Sequence, residues 1–367
     1  MKVTFPHMGN MAIVVKALLK ELNIEFIPPP PITKRTLSLG VQHAPESACL
    51  PLKMNIGNFL EAAEKGADTV LMAGGIGPCR FGYYNQVQRE ILNDLGVNLN
   101  MIVLEPPDNH IGELLKRLRA LTGSNSWWRL VKAIRFAFAK CEALDDLEKA
   151  ASRIRCRELQ RGDVDRVYAQ ACEAIDQTTT PKEIEQCRDE FLTKMRSLPL
   201  DHQKRPIRIG IVGEIYTLLE PSSNGFMEKN LGRLGAEVSR SIYLSEWVNE
   251  HLLKGLLPVK GHKLTRKRAQ PYLSCMVGGH GQESIGATIE YAQQGYDGVI
   301  QVGPLTCMPE IVAQSIMPNV EKDFHIPVLT IYVDEQTGEA GLLTRLEAFV
   351  DMLERRKRNQ VESGMQG

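Results

Sequence analysis

Apolar residues recur with two different periods along this chain, and the period changes twice. Val3–Phe5 reads as a short strand, and Met11–Leu22 carries apolar residues at helical spacing. Ile24–Ile27 reads as a second strand, closed by the prolines Pro28 to Pro31. Asn58–Glu64 is helical, Asp68–Met72 an apolar strand, Tyr84–Leu95 helical, and Met101–Leu104 a strand stopped by Pro106-Pro107. Strand and helix in alternation predict a parallel sheet with helices on its faces. From about Gly112 to Leu198 the texture changes: Gly and Pro are sparse, charges are many, and apolar residues fall three to four apart. That stretch predicts helices over Trp127–Leu144 and Asp146–Gln177, with another starting at Pro181, where proline suits a first helical position.

Alternation resumes at Lys204-Arg205-Pro206. Strands are expected over Ile207–Val212, Glu237–Tyr243, Gly298–Val302 and Pro327–Val333. Helices are expected over Met227–Leu234, Ser245–Leu256, Ser284–Gln294, Glu310–Ser315 and Gly341–Arg355. The predicted class is α/β: two Rossmann-like lobes with parallel sheets, related by an internal repeat, plus a helical insertion. The expected boundaries are 1–111, 112–204 and 205–367.

The repeat is legible residue by residue. Gly57 to Asp68 forms a helix and a Gly-x-Asp turn; Thr69–Met72 is apolar; Gly74-Gly75-Ile76-Gly77-Pro78 leads to Cys79. Ile285 to Asp297, Gly298–Val302 and Gly303-Pro304-Leu305-Thr306 lead in the same way to Cys307. A further cysteine precedes each helix: Cys49 lies 30 residues before Cys79, and Cys275 lies 32 before Cys307. Ligands in open parallel sheets bind beyond the carboxyl ends of strands, where Cys79 and Cys307 stand. The segments that follow read as helix starts, whose dipoles favour thiolates.

Composition narrows the reading. Lys+Arg and Asp+Glu both number 44 in 367 residues, so net charge is zero, unlike a general nucleic-acid binder. Apolar runs are far shorter than the roughly 18 residues of a membrane helix, and the start shows no signal peptide. A cytoplasmic protein with reduced thiols is therefore expected. Its 8 cysteines are then buried thiols, reactive thiols or metal ligands. Cys141, Cys156, Cys172 and Cys187 lie far apart in the helical insertion and read as packing. Simple burial is the alternative for the other four too, and for Cys275 a strand over Tyr272–Val277 favours it. Structural zinc sites come as close pairs, whereas single cysteines on separate loops suit an iron–sulfur cluster in a cleft. The chain lacks G-x-x-x-x-G-K-[ST], and Gly75-x-Gly77 lacks the rest of a dinucleotide fingerprint.

Cys49-Leu50-Pro51-Leu52-Lys53, Gly77-Pro78-Cys79-Arg80-Phe81-Gly82-Tyr83-Tyr84, Gly278-Gly279-His280-Gly281 and Cys307-Met308-Pro309-Glu310-Ile311-Val312 carry a resemblance. So do Phe5-Pro6-His7-Met8-Gly9-Asn10 and Gly213-Glu214-Ile215-Tyr216. Together they resemble the acyl-CoA dehydratase activase-related proteins. These belong to the 2-hydroxyacyl-CoA dehydratase and benzoyl-CoA reductase superfamily, which includes the double-cubane cluster proteins. The resemblance implies two α/β lobes with a [4Fe-4S] cluster between them, three cysteines per cubane, and a separate ATP-hydrolysing activase as electron donor. Carried over, the ligands are Cys49, Cys79 and Cys307, leaving one iron open to a small substrate, an acyl-CoA among the options. Cys275 departs from the pattern. It either closes the fourth iron or belongs to a double-cubane form.

Other residues have two readings each. His280 is a proton donor or sulfur hydrogen-bond partner near the cluster, or a capping or loop histidine. Glu310 is a proton relay or a first-turn carboxylate. Arg80 balances cluster charge or forms a surface ion pair. Glu214 and Tyr216, past a strand end, are site residues or lobe-interface packing. The basic run Lys260, Lys263, Arg266, Lys267 and Arg268 reads as a solvated loop, with activase or coenzyme A docking as the alternative. The function expected is an iron–sulfur redox protein, fed by the activase, acting on a small substrate. A non-enzymatic electron carrier or accessory subunit, fully ligated by Cys49, Cys79, Cys275 and Cys307, is its rival; a zinc-stabilised or metal-free binding protein is third. A homodimer is compatible with the length of the helical insertion; neither nucleic acid nor membrane is an expected partner.

Overall fold

A computed structural model of the chain describes residues 1–75, 78–104, 126–251 and 263–364. Ile76, Gly77, Pro106-Pro107, the start of the insertion and Lys260 lie outside the described residues, as does the end of the helix expected to reach Leu256. The chain divides into two compact units. The first comprises Met1–Asp145, Ile175–Glu185 and Tyr243–Gly261, and the second Asp146–Ala174, Gln186–Ile242 and His262–Gly367. Both are α/β with parallel sheets.

In the first unit the order is β1 (Val3–Thr4), β2 (Thr69–Ala73), β3 (Asn100–Leu104), all parallel. The strand expected over Ile24–Ile27 shrinks to one parallel bridge, Val3 to Phe26. The prolines behind it have no N–H to extend a ladder. Helices α1 (Met11–Glu21), α2 (Lys34–His43), α3 (Leu50–Glu64) and α4 (Tyr84–Asp94) complete this part. No periodicity announced α2; a capping box between Thr33 and Thr36 starts it. Helix α3 begins eight residues earlier than expected and buries every residue from Leu50 to Phe59. A helix apolar all round belongs inside a protein.

Among the described residues the insertion holds α5 (Trp127–Ile154), α6 (Asp163–Gln177) and α7 (Pro181–Arg196). The break falls at Arg155–Gly162 rather than near Asp146. There Glu158 accepts from the N–H groups of Gly162 and Val164 and so begins α6.

The second unit orders its strands β5 (Glu237–Arg240), β4 (Arg208–Gly213), β6 (Gly298–Pro304), β7 (Val328–Val333). Its helices are α8 (Ile215–Leu219), α9 (Met227–Arg233), α11 (Lys263–Ala269), α12 (Gly281–Gln293), α13 (Met308–Phe324) and α14 (Glu339–Gly364); α10 (Leu244–His251) is assigned to the first unit. The basic run expected as a loop is helix α11 from Lys263 onward, and two of its charges are committed locally: Arg266 pairs with Glu283 and Arg268 with Glu290. No strand forms over Tyr272–Val277. Buried Arg240, 2% exposed, pairs with Glu148 and Glu228 and donates to the carbonyl of Leu218. These bonds tie the second half of α5 to the sheet.

The units share one internal plan. Phe26, β1, β2 and β3 run in the order of β5, β4, β6 and β7. Asp68, just before β2, accepts from the Lys2 N–H at 2.8 Å, and Asp297, just before β6, from the Arg208 N–H at 2.7 Å, each at the start of the first strand of its unit. A Cβ on Gly57 would lie 1.8 Å from the Thr36 carbonyl oxygen, and one on Gly286 would lie 1.9 Å from that of Thr265. In each unit a helix pair is thus clamped at a glycine that admits no side chain.

Candidate functional site

In both units the chain reverses its direction of growth across the sheet beside the first strand, and in open parallel sheets ligands bind beyond the strand carboxyl ends at such a point. In the first unit β2 leads to this point. Cys79 follows and caps a 3-10 turn, Arg80–Tyr83, with the Gly82 N–H donating to its carbonyl at 3.3 Å. Cys49 occupies the N-cap of α3 in extended conformation, with Pro51 in the first turn. Its side chain is buried among Leu52, Ile56 and Tyr84. Tyr84 opens α4, and its hydroxyl is hydrogen-bonded to the Cys49 sulfur. Burial, and then the neighbouring Cys49, push the phenol well above its usual range, so the hydroxyl keeps its proton. Cys79 and Arg80 lie within electrostatic reach of the same phenol. Arg80 also donates to the Ser47 carbonyl at 3.2 Å. Beside them is a cavity of about 340 Å³ lined by Pro45, Ala48, Leu52, Arg80, Tyr84 and Val87.

In the second unit β6 leads to Thr306, whose φ of +69° is strained for a β-branched residue, and then to Cys307. Cys307 is buried and caps α13, with Pro309 at its start. The Ile311 N–H donates to its carbonyl at 3.0 Å. Cys49 and Cys307 therefore stand in the same local setting: extended N-cap, proline in the first turn, thiol at the positive end of a helix.

Glu310 lies in the first turn of α13 and is 1% exposed. Ser284 Oγ lies 3.0 Å from both carboxyl oxygens, and Gln301 Nε2 donates to Oε2 at 2.9 Å. Thr330 donates to Gln301 Oε1 at 3.1 Å and so fixes that amide. Burial pushes the Glu310 carboxyl up to about 7, against the hydrogen bonds from Gln301 and Ser284, with Glu214 and Glu283 adding repulsion. Glu214, past the end of β4, caps α8 by accepting from the Tyr216 and Thr217 N–H groups. Burial raises its carboxyl too. Its role is a cap past that strand end. Tyr216 is buried behind it.

His280 is the N-cap residue of α12 and is 7% exposed, so it is not a solvent-facing loop histidine. The adjoining Gly281 packs so closely that a Cβ would lie 2.6 Å from the Pro309 carbonyl oxygen. The starts of α12 and α13 are thereby brought together, with His280, Cys307 and Glu310 on the two of them. Cys275 is exposed on the loop before them.

Each unit thus carries two of the four loop cysteines. Among the described residues no three His, Cys, Asp or Glu side chains converge on one ion position. Thiols at helix N-termini suit an iron–sulfur cluster chemically, and Cys49, Cys79 and Cys307 each have that setting. Of the insertion cysteines, Cys141 and Cys156 are buried; burial raises the Cys156 thiol to about 11 and the Cys172 thiol to about 12. Sequence reading passed over Tyr84, Ser284 and Gln301. A glutamine inside the apolar run Val299-Ile300-Gln301-Val302 was the available signal, since a buried amide needs partners.

Residues 83–353 match the family model described as 2-hydroxyglutaryl-CoA dehydratase, D-component. The chain belongs to this family. The dehydratase-family match takes in Tyr84, Cys275, His280, Cys307 and Glu310, while Cys49 and Cys79 precede it. No curated protein matches the chain. Among the described residues of this family member, no helix is long and apolar enough to cross a membrane.

Proposed function

We propose that this protein is an iron–sulfur redox component of a 2-hydroxyacyl-CoA dehydratase-type system. It receives low-potential electrons from an ATP-dependent activase and acts on a small substrate of the acyl-CoA kind. Cys49, Cys79 and Cys307 would hold a [4Fe-4S] cluster. The observation that supports this reading most is the matched setting of Cys49 and Cys307, each the N-cap of a proline-started helix in units of one strand order. When bound, the cluster would supply one-electron chemistry and one open iron position. The protein's own residues would supply the rest. A proton taken up by Glu310 would sit on Oε1, because Oε2 accepts from Gln301. Ser284 Oγ, touching both oxygens, is the group through which that proton would leave. His280, one turn before Ser284 on the same helix, is the second proton-handling candidate.

Cys275 supports the second reading, an electron carrier or accessory subunit. Its exposure leaves it available as a fourth ligand, which would remove the open position. Anaerobic purification with iron and acid-labile sulfide counts tests both. About four irons per chain supports a single cubane and about eight a double cubane, whereas a colourless protein holding zinc or no metal refutes both readings. With four irons, Cys275→Ser that keeps the cluster fits the open-iron enzyme, and loss of the cluster fits the carrier.

A further inference from the structure

Tyr84 is 6% exposed, and its hydroxyl reaches the Cys49 sulfur directly. Its ring is held in place from two sides. Cys49, Leu52 and Ile56 pack with it, and Phe81 meets it edge-on with centroids 5.9 Å apart and planes at 67°. Backbone geometry fixes both ends of the contact, since Cys49 is the N-cap of α3 and Tyr84 the first residue of α4. We propose that Tyr84 is a positioning residue for the iron–sulfur cluster: its buried hydroxyl donates to the Cys49 sulfur and raises the reduction potential of the group that Cys49 holds. This rests on Cys49 being a cluster ligand, as proposed above.

The direction follows from charge. Adding an electron makes the cluster and its ligand sulfurs more negative, and a donor aimed at sulfur stabilises the more negative state. Inside a buried pocket no water takes the donor's place when it is removed, so the effect is not compensated. Arg80, in electrostatic reach of the same phenol, acts in the same sense from further away. Cys307 caps its helix in a similar way, and the Tyr332 phenol lies in electrostatic reach of it.

The test uses the anaerobically purified full chain and its Tyr84→Phe variant, with iron and sulfide counted and the midpoint potential measured by a spectroscopic redox titration. The expected result is unchanged iron content and a midpoint about 59 mV more negative, a tenfold change in the one-electron equilibrium constant. Tyr83→Phe, on the exposed neighbour, should leave the potential unchanged. If Tyr84→Phe fails to fold, 3-fluorotyrosine at position 84 keeps the packing and makes the hydroxyl a stronger donor, which should move the midpoint to more positive values. Equal potentials at equal iron content overturn the role of Tyr84 while leaving the cluster intact. A wild-type chain that takes up no iron and sulfide overturns the cluster reading itself, and the role of Tyr84 with it.

Discussion

Replacing Glu310 by glutamine should make the second unit less sensitive to alkaline pH. The carboxyl is pushed from an ordinary 4.5 up to about 7 by burial. The folded chain therefore keeps this proton in a window where the unfolded chain has released it. Stability from this group is fully present below 4.5 and is lost as pH rises through about 7. The interval of about 2.5 pH units, at about 1.36 kcal/mol each, corresponds to roughly 3 kcal/mol. In a unit of 150–250 residues each kcal/mol moves the melting temperature by about 2–4 °C, so the effect is about 6–12 °C. Glutamine keeps an oxygen to accept from Gln301 and gains an amide to donate to Ser284, and it does not ionise. The nearby Glu214, Glu283 and Tyr332 are unchanged in the variant, so the difference between the two proteins isolates position 310. Melting curves of reduced, iron-free protein from pH 5 to pH 8 provide the assay. Wild type should lose stability across that range relative to Glu310→Gln, and the variant should be the more stable at pH 8. Parallel curves would refute the argument, because they would mean that the carboxyl ionises in the fold as freely as in the unfolded chain.

Three further outcomes are expected. Gly286→Ala places a methyl 1.9 Å from the Thr265 carbonyl oxygen and should destabilise by about 1–3 kcal/mol or more in denaturant melts, whereas Gly341→Ala, with open space around it, should be neutral or slightly stabilising. Arg240→Ala leaves Glu148 and Glu228 facing each other without their cation and should cost about 3–5 kcal/mol, read by the same melts. Cys49→Ser and Cys307→Ser should each lower bound iron several-fold after anaerobic reconstitution, while Cys172→Ser, in the helical insertion, should leave the iron count unchanged.

The periodic signals that marked α1, α4 and the strands β2, β3, β4 and β6 are those whose apolar residues face a core directly, and each appears in place. Helix α2 escaped because its turn-to-turn pattern is polar and its start is a local threonine pair. Helix α3 was legible only in its second half. Its first half is buried on every side, including Lys53 and Asn55, so it shows no amphipathic stripe. The extended segment at Ile24–Ile27 had strand composition, yet the number of ladder bonds it could make was set by the prolines after it. At the site, the cysteines and Glu310 were visible as chemical types at strand ends. Tyr84 and Gln301 were not, because hydrogen bonds that join residues far apart in sequence have no local spacing.

The internal repeat separates scaffold from chemistry. One offset of 229 residues carries Thr36 onto Thr265, Gly57 onto Gly286 and Asp68 onto Asp297 (297 − 68). Those positions clamp a helix pair and pin the first strand, and both units use them identically. The same offset carries Cys49 onto Gly278 and Cys79 onto Met308, one residue past Cys307. Equivalent strand ends therefore carry different groups. The first unit places two cysteines around a buried phenol, an arrangement suited to holding and tuning sulfur. The second unit places one cysteine beside a buried carboxyl wired to serine and glutamine, an arrangement suited to holding a proton. An electron delivered to a substrate is commonly balanced by a proton. On the proposed function, dividing the two tasks between equivalent strand ends would let each be adjusted without disturbing the clamps that keep both units folded.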